Sequence, residues 1–152
     1  MDFLNDMYEW LLVGAVSLSP IAELRASIPL GIILGLPPAI VIPYAIAINC
    51  LAFFPIYFCL EILYERFLHR FGIIRKIVKK THSRAAEKIK KWGELGLLLF
   101  VAIPLPGTGV WTATLIAWLF GLKWKQSFAV ISLGAIIAGI IVSIITLGIV
   151  AL

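Results

Sequence analysis

Two uninterrupted apolar segments, Ala39 to Leu63 and Ser127 to Val150, constrain the fold of this chain most strongly. Each is longer than the roughly 20 residues that an α-helix needs to cross a bilayer. The whole chain is 62% hydrophobic and only 14% charged, with a mean hydropathy of +1.06, whereas soluble domains contain about 25% charged residues. The sequence therefore predicts an all-α integral membrane protein, with residues 1–152 forming a single domain in the plasma membrane.

Shorter apolar pieces come in two pairs. Tyr8 to Leu18 has eleven residues, which as a helix extend about 16 Å across a hydrocarbon core of about 30 Å. The turn at Pro20 to Arg25 separates it from Ala26 to Leu36, because Pro20 and Pro29 are expected to interrupt a longer helix. Leu95 to Ile103 and Val110 to Leu122 flank a second break, rich in proline and glycine. Each pair is either one interrupted span or a re-entrant hairpin.

The basic residues distinguish these alternatives. Twelve of the thirteen Lys and Arg residues lie between Arg66 and Lys125, and cytoplasmic loops carry such an excess. Residues 65–93 are therefore predicted to be cytoplasmic and to form a basic amphipathic helix along the headgroups, with a solvated basic loop as the alternative. Lys123 reaches the same side only if the second pair folds back. The acidic amino terminus and the Pro37-Pro38 corner fit an outside hairpin for the first pair.

A weak internal repeat completes the predicted topology. Placing Pro20 on Pro106 brings Gly35 onto Gly121, and each glycine is followed by leucine and a long apolar segment. One crossing per repeat gives the two copies opposite orientations, as in many secondary transporters. The predicted units are residues 8–64 and 94–151, with the basic segment 65–93 between them. Both termini are then outside.

Glu23 and Arg25 are the first candidates for function, because they lie in an otherwise apolar run. A charge inside the hydrocarbon costs about 3 kcal/mol, so such residues normally face a partner or a wet cavity. Arg25 suits bidentate contact with phosphate or carboxylate. Two hypotheses remain open: a static salt bridge with Glu23, or an exchange of Arg25 between Glu23 and an anionic headgroup. In the exchange Glu23 takes up a proton, since burial without a cation favours its neutral form.

The second break supplies further candidates. Gly107, Thr108 and Gly109 open a half-helix whose free amides are suited to an anion, although a sharp turn alone also explains the glycines. Thr112 is expected to hydrogen-bond between helices, and Trp111 is more typical of packing than of ligand contact. The predicted substrate-binding or proton-coupling residues are Glu23, Arg25, Pro29, Pro104, Pro106, Gly107, Thr108, Gly109, Trp111 and Thr112.

Other functional classes find little support in the sequence. His69 and His82 lack metal-ligand spacing, and Cys50 and Cys59 are predicted to form neither a disulfide nor a metal site. The chain has no Walker loop, dinucleotide fingerprint or nucleophile elbow. We therefore expect no enzyme, no cofactor, no metal and no nucleic acid. The expected partners are membrane lipids with anionic headgroups and a second copy of the chain, because 152 residues hardly enclose a pathway alone.

The residues at both breaks resemble a known family. Residues 20–29 read PIAELRASIP and residues 104–113 read PLPGTGVWTA, with Gly121 following. They resemble the small multidrug export proteins, which are similar to the DedA (VTT) superfamily. The resemblance implies two re-entrant hairpins with crossing helices, and movement of lipid-linked phosphates such as polyprenyl phosphate, or lipid scrambling, with coupling to protons. Glu23 matches the acidic residue of the first hairpin, whereas the arginines of the second DedA hairpin are replaced here by Gly109 and Trp111.

The leading functional hypothesis is a DedA-like transporter that translocates an anionic lipid, either polyprenyl phosphate or a phospholipid. In it, Arg25 and the amides of residues 107–109 hold the anion, while Glu23 is the proton-linked counter-charge. One alternative is a proton-coupled exporter of small molecules or drugs. Another is a non-transporting membrane component, in which Glu23 and Arg25 form a static lock and the basic helix docks a partner.

Overall fold

The computed structural model describes residues 2–66, 76, 80, 93–105 and 107–151, and all regular structure in these residues is helical. Most of the predicted basic amphipathic helix at 65–93 lies outside the described residues, as does Pro106. The helices are α1 (Asp2–Leu18), α2 (Glu23–Ile33), α3 (Pro38–Leu51), α4 (Phe53–Arg66), α5 (Gly93–Ala102), α6 (Val110–Leu119) and α7 (Trp124–Val150).

Two stretches are long and apolar enough to cross a membrane. They are Pro38–Arg66, with 29 residues in α3 and α4, and Trp124–Val150, with the 27 residues of α7. The apolar helices Met7–Leu18, Gly93–Ala102 and Val110–Leu119 are shorter. The predicted all-α class and the two segments of crossing length are thus confirmed. The re-entrant hairpins and the inverted repeat stay predictions.

The first of these stretches contains a break near Pro55. Helix α3 ends at Leu51 and α4 begins at Phe53, while the Ala52 amide is shared between the carbonyls of Ile48 at 3.3 Å and Asn49 at 3.2 Å. Proline has no amide hydrogen, and its ring crowds the carbonyl four residues earlier, which is that of Leu51. The irregularity near Pro55 therefore lies at Ala52, about one turn upstream, where the backbone keeps helical dihedrals of φ −58° and ψ −25°; the expected kink stays a prediction.

Pro29 does not interrupt a helix, contrary to the prediction from sequence. It lies inside α2, and the actual break runs over residues 19–22, around Pro20 alone. Helix α2 therefore begins at Glu23, and both Glu23 and Arg25 belong to its first turn. Because Pro29 has no amide hydrogen, the carbonyl of Arg25 lacks its usual helical partner. The Arg25 carbonyl therefore has no backbone amide donor at position 29.

Helices α2 and α6 end in the same way. Each is followed by a glycine in the left-handed region, Gly35 with φ 86° and Gly121 with φ 67°. The glycine amide donates to the carbonyl three residues earlier, and the next amide donates to the carbonyl five residues earlier, all at 3.0 to 3.1 Å. This is the Schellman arrangement, in which a glycine at C′ satisfies the last carbonyls of a helix.

We expect Gly121→Ala to lower the free energy of unfolding by about 1 kcal/mol, because an L-residue in the left-handed region costs about that much. Urea unfolding of the protein in detergent, followed by circular dichroism, measures the change. Gly148→Ala is the matched control. It lies inside α7 with no atom within 4 Å of an added Cβ, so it should be neutral or stabilising. Equal losses in both variants would contradict the prediction.

The helices pack so that the first turns of α2 and α6 come together. Helix α2 contacts α1, α3 and α7, while α6 contacts α4 and α7. The centre of this bundle contains fully buried side chains from five helices, Val13, Ile28, Val41, Val110 and Ile131. Helix α7 thus forms a common wall for both short helices, and the polar groups at their starts face one another in the interior.

Candidate functional site

The carboxylate of Glu23 caps the amino terminus of α6. Glu23 is only 5% exposed, and its Oε1 accepts a hydrogen bond from the Trp111 amide at 3.4 Å. The Val110 amide is close enough to favour the charged form of the same carboxylate. The N-cap residue Gly109 has no side chain to fill this role. A group 88 residues away in sequence therefore satisfies the free amides that every helix exposes at its start.

Gly109 leaves the space that the Glu23 carboxylate occupies. A Cβ built at position 109 would overlap both oxygens and the carbon of that carboxylate. The φ of Gly109 is −97°, which any residue adopts, so the requirement for glycine comes from close approach and not from backbone conformation. The sequence predicted that these amides would receive an anion, and in the structure they hold a carboxylate of the same chain.

The backbone of Glu23 is strained. Within the described residues it is the only non-glycine residue with a positive φ, 47°. Such a conformation costs about 1 to 3 kcal/mol and persists only where the surrounding structure imposes it. Here the positive φ occurs at the first residue of α2, the same residue whose side chain reaches the start of α6. Backbone strain of this kind clusters at functional sites, which supports Glu23 as the central residue of the site.

Arg25 is half-buried and does not pair with Glu23. No carboxylate among the described residues forms an ion pair with its guanidinium, although Glu23 is close enough to feel its charge. The static salt bridge considered from sequence is therefore absent. The physical reason is that residues two apart on a helix point to different faces, and the Glu23 carboxylate is held by α6.

A small cavity lies beside the Glu23 carboxylate. Its volume is about 20 Å³, enough for about one water molecule. Its polar lining comprises Glu23, Arg25, Asn49 and Thr108, and Pro104 and Gly109 also line it.

Asn49 is the member of this lining that sequence reasoning missed as a site residue. It is 1% exposed, and its Nδ2 donates to the Ser17 carbonyl at 2.8 Å. The sequence feature that could have identified it is that Asn49 is the one amide side chain in the apolar segment from Ala39 to Leu63.

A larger groove adjoins this cavity. It has a volume of about 340 Å³ and runs between α2 and the second half of α7. Arg25, Pro104 and Val142 line both spaces. The predicted site residue Pro29 lines the groove and not the small cavity. Arg25 therefore stands where the two spaces meet, with its charge available to either.

Two of the remaining predicted residues have structural contacts. The Thr108 hydroxyl lies 2.6 Å from the Ile103 carbonyl and 2.8 Å from that of Leu105, so it closes its own loop. The Trp111 indole donates to the Leu18 carbonyl at 3.0 Å and ties α6 to the end of α1. Gly107 and Thr112 line neither the cavity nor the groove. The described residues contain no group of three or more His, Cys, Asp or Glu side chains that could hold a metal ion.

Comparison with known proteins places the chain in a family. No curated protein and no solved structure matches it at a significant level. A family model described as "Putative small multi-drug export protein" matches residues 23–141, which include Glu23, Arg25 and Gly109. The match does not extend to the DedA superfamily, so that similarity stays a prediction. Because the matched region covers well over half of the sequence, the chain belongs to the small multidrug export protein family.

Proposed function

We propose that this chain is a membrane transporter that exports small amphipathic molecules, with Glu23 as the residue that couples export to protons. The family description supports export. The observation that carries the mechanism is the buried Glu23 carboxylate, which joins the first turn of α2 to the first turn of α6. A proton arriving at this carboxylate acts directly on the contact between two short helices.

Charge controls the strength of this contact. An ionised carboxylate is a strong acceptor for backbone amides, and it is favoured further by the positive end of the α6 dipole. A neutral carboxyl group loses most of this attraction, while the strained Glu23 backbone still opposes the capped arrangement. Protonation therefore releases α2 from α6, and deprotonation restores the contact. A transporter needs two such arrangements with different access to its site.

The proposed architecture is the inverted repeat expected from sequence. The register that matches Gly35 with Gly121 also matches Glu23 with Gly109, and these two positions touch. Two-fold related positions touch each other only beside the symmetry axis. This contact, together with the identical ends of α2 and α6, supports two oppositely oriented units. The cytoplasmic location of residues 65–93, the outside termini and a homodimer belong to the same proposal.

Purified protein in vesicles tests the coupling. We expect a pH gradient to drive movement of a fluorescent amphipathic dye, with an anionic and a cationic dye compared in parallel. Glu23→Gln should lower the initial rate to that of empty vesicles, because it removes both the charge and the exchangeable proton. The control Glu61→Gln removes an exposed carboxylate on α4 and should transport like the unmodified chain. Gradient-driven transport at an unchanged rate in Glu23→Gln would refute the coupling role.

A second candidate function is translocation of an anionic lipid, such as polyprenyl phosphate or a phospholipid. The unpaired guanidinium of Arg25 beside an apolar groove favours it. A labelled polyprenyl phosphate in the same vesicles distinguishes the two functions, since Arg25→Ala should slow this lipid more than it slows a cationic dye. If every variant and the empty vesicles move each probe at one rate, the chain is a non-transporting membrane component.

A further inference from the structure

The groove beside Arg25 has a polar end and apolar walls. Its charged group is Arg25 at one end, and its walls are side chains of α2 and α7 such as Ile33, Ile145 and Ile149. Ile145 and Ile149 are 53% and 67% exposed, so the groove opens sideways from the bundle. A groove on an apolar helix of crossing length opens toward lipid and not toward water.

Arg25 supplies the chemical requirement for an occupant. Its guanidinium is half-buried, and no carboxylate among the described residues pairs with it. An unpaired charge in an apolar environment is costly and favours a bound counter-charge. Arginine meets phosphate, sulfate or carboxylate with two parallel hydrogen bonds. The occupant should therefore have an anionic head at Arg25 and an apolar part along α7.

We propose that this groove binds a single-chain amphiphile with an anionic head group, taken up laterally from the lipid. Its volume of about 340 Å³ is near the lower end of the range of about 300 to 1,000 Å³ for sites that enclose drug-sized ligands. One hydrocarbon chain fits such a space, whereas a phospholipid would leave its second chain outside.

The groove also leads to the proposed coupling site. Arg25, Pro104 and Val142 line both the groove and the cavity beside Glu23, so a head group held by Arg25 is next to the carboxylate. The route rests on the proposed export function, for which it supplies the substrate class. Binding in the groove, however, does not require transport, and the two can be measured separately.

Photolabelling of the full chain tests the proposal. The probes are a dodecyl phosphate with a diazirine on its chain and the same chain with a trimethylammonium head, each in vesicles of zwitterionic lipid. We expect the phosphate probe to label α7 around residues 145–150, and inorganic phosphate not to compete. Arg25→Gln should reduce its labelling about tenfold, since a charged hydrogen bond contributes about 1.5 kcal/mol or more. Arg25→Lys keeps the charge but not the two parallel hydrogen bonds, so its labelling should lie between that of the unmodified chain and that of Arg25→Gln.

A matched pair of substitutions tests the location independently of Arg25. Ile145→Trp fills the groove and should block labelling by the phosphate probe. Ile144→Trp adds the same bulk at a neighbouring position that is 67% exposed and does not line the groove, so it should not block. Equal labelling by both head groups, or equal blocking by both tryptophans, would overturn the proposal. Labelling is measured without a pH gradient and export with one, so failure of the groove appears as unlabelled α7, whereas failure of the proposed function appears as a labelled chain that moves no dye.

Discussion

Gly109→Ala is expected to abolish export and to lower the free energy of unfolding by about 3 kcal/mol. The added methyl group would occupy the position of the Glu23 carboxylate. Either α2 moves away from α6, or the carboxylate leaves its amide donors and remains buried without them. Overpacking a well-packed interior costs about 1 to 3 kcal/mol, and an uncompensated buried charge costs about 3 to 5 kcal/mol. The loss should be visible in urea unfolding and in the vesicle assay.

A double-mutant cycle identifies the cause of this loss. In Glu23→Ala the carboxylate is absent, so the additional change Gly109→Ala should cost almost nothing. We therefore expect the two substitutions to be non-additive by about 3 kcal/mol, at the upper end of the range for residues in contact. Gly96→Ala is the control, because no atom lies within 4 Å of an added Cβ there. Simple additivity of the Glu23 and Gly109 effects would disprove the contact.

Asn49→Leu is expected to lower the free energy of unfolding by about 2 kcal/mol. The substitution keeps the volume but removes the donor to the Ser17 carbonyl at 2.8 Å. A buried acceptor left without its partner costs about 1 to 3 kcal/mol. Since Ser17 Oγ also donates to the Ala45 carbonyl at 2.7 Å, the change loosens a polar link between α1 and α3 beside the cavity.

Ser143→Ala is the matched control for Asn49. Its hydroxyl is also buried, but it donates within α7 to the Gly139 carbonyl at 2.6 Å, so it joins no two helices. Thermal unfolding in detergent should give a clear decrease for Asn49→Leu and little change for Ser143→Ala. A smaller decrease for Asn49→Leu than for Ser143→Ala would show that the link between α1 and α3 contributes nothing.

The apolar pattern of the sequence predicts where the helices lie better than it predicts which helices contact one another. The two long stretches were evident because length and the absence of charge are local properties. The end of α2 at Ile33 was missed, because the predicted apolar piece ran on to Leu36, although glycine is common just after a helix. The prediction that Pro29 interrupts a helix was wrong, because a proline inside a helix is tolerated where neighbouring helices hold the segment, and α2 packs on three of them.

The functional contact had only a partial signal in the sequence. Glu23 was identified as a buried charge that needs a partner, but of the two hypotheses left open, the static salt bridge to Arg25 is not formed among the described residues. The spacing of two residues already argued against that pairing on a helix. The true partners, the amides of Val110 and Trp111, belong to the backbone and leave no trace in residue identity. The glycine at position 109 was the only hint, and a turn explained it equally well.

The break at Ala52 gives the two long stretches different mechanical properties. Helix α7 runs through 27 residues without proline, so bending it would sacrifice intact backbone hydrogen bonds. The joint between α3 and α4 has already lost the bond that Pro55 cannot make. Helix α2 packs on α3, and α6 packs on α4. We therefore expect a separation of α2 from α6 to bend the joint between α3 and α4 while α7 stays straight.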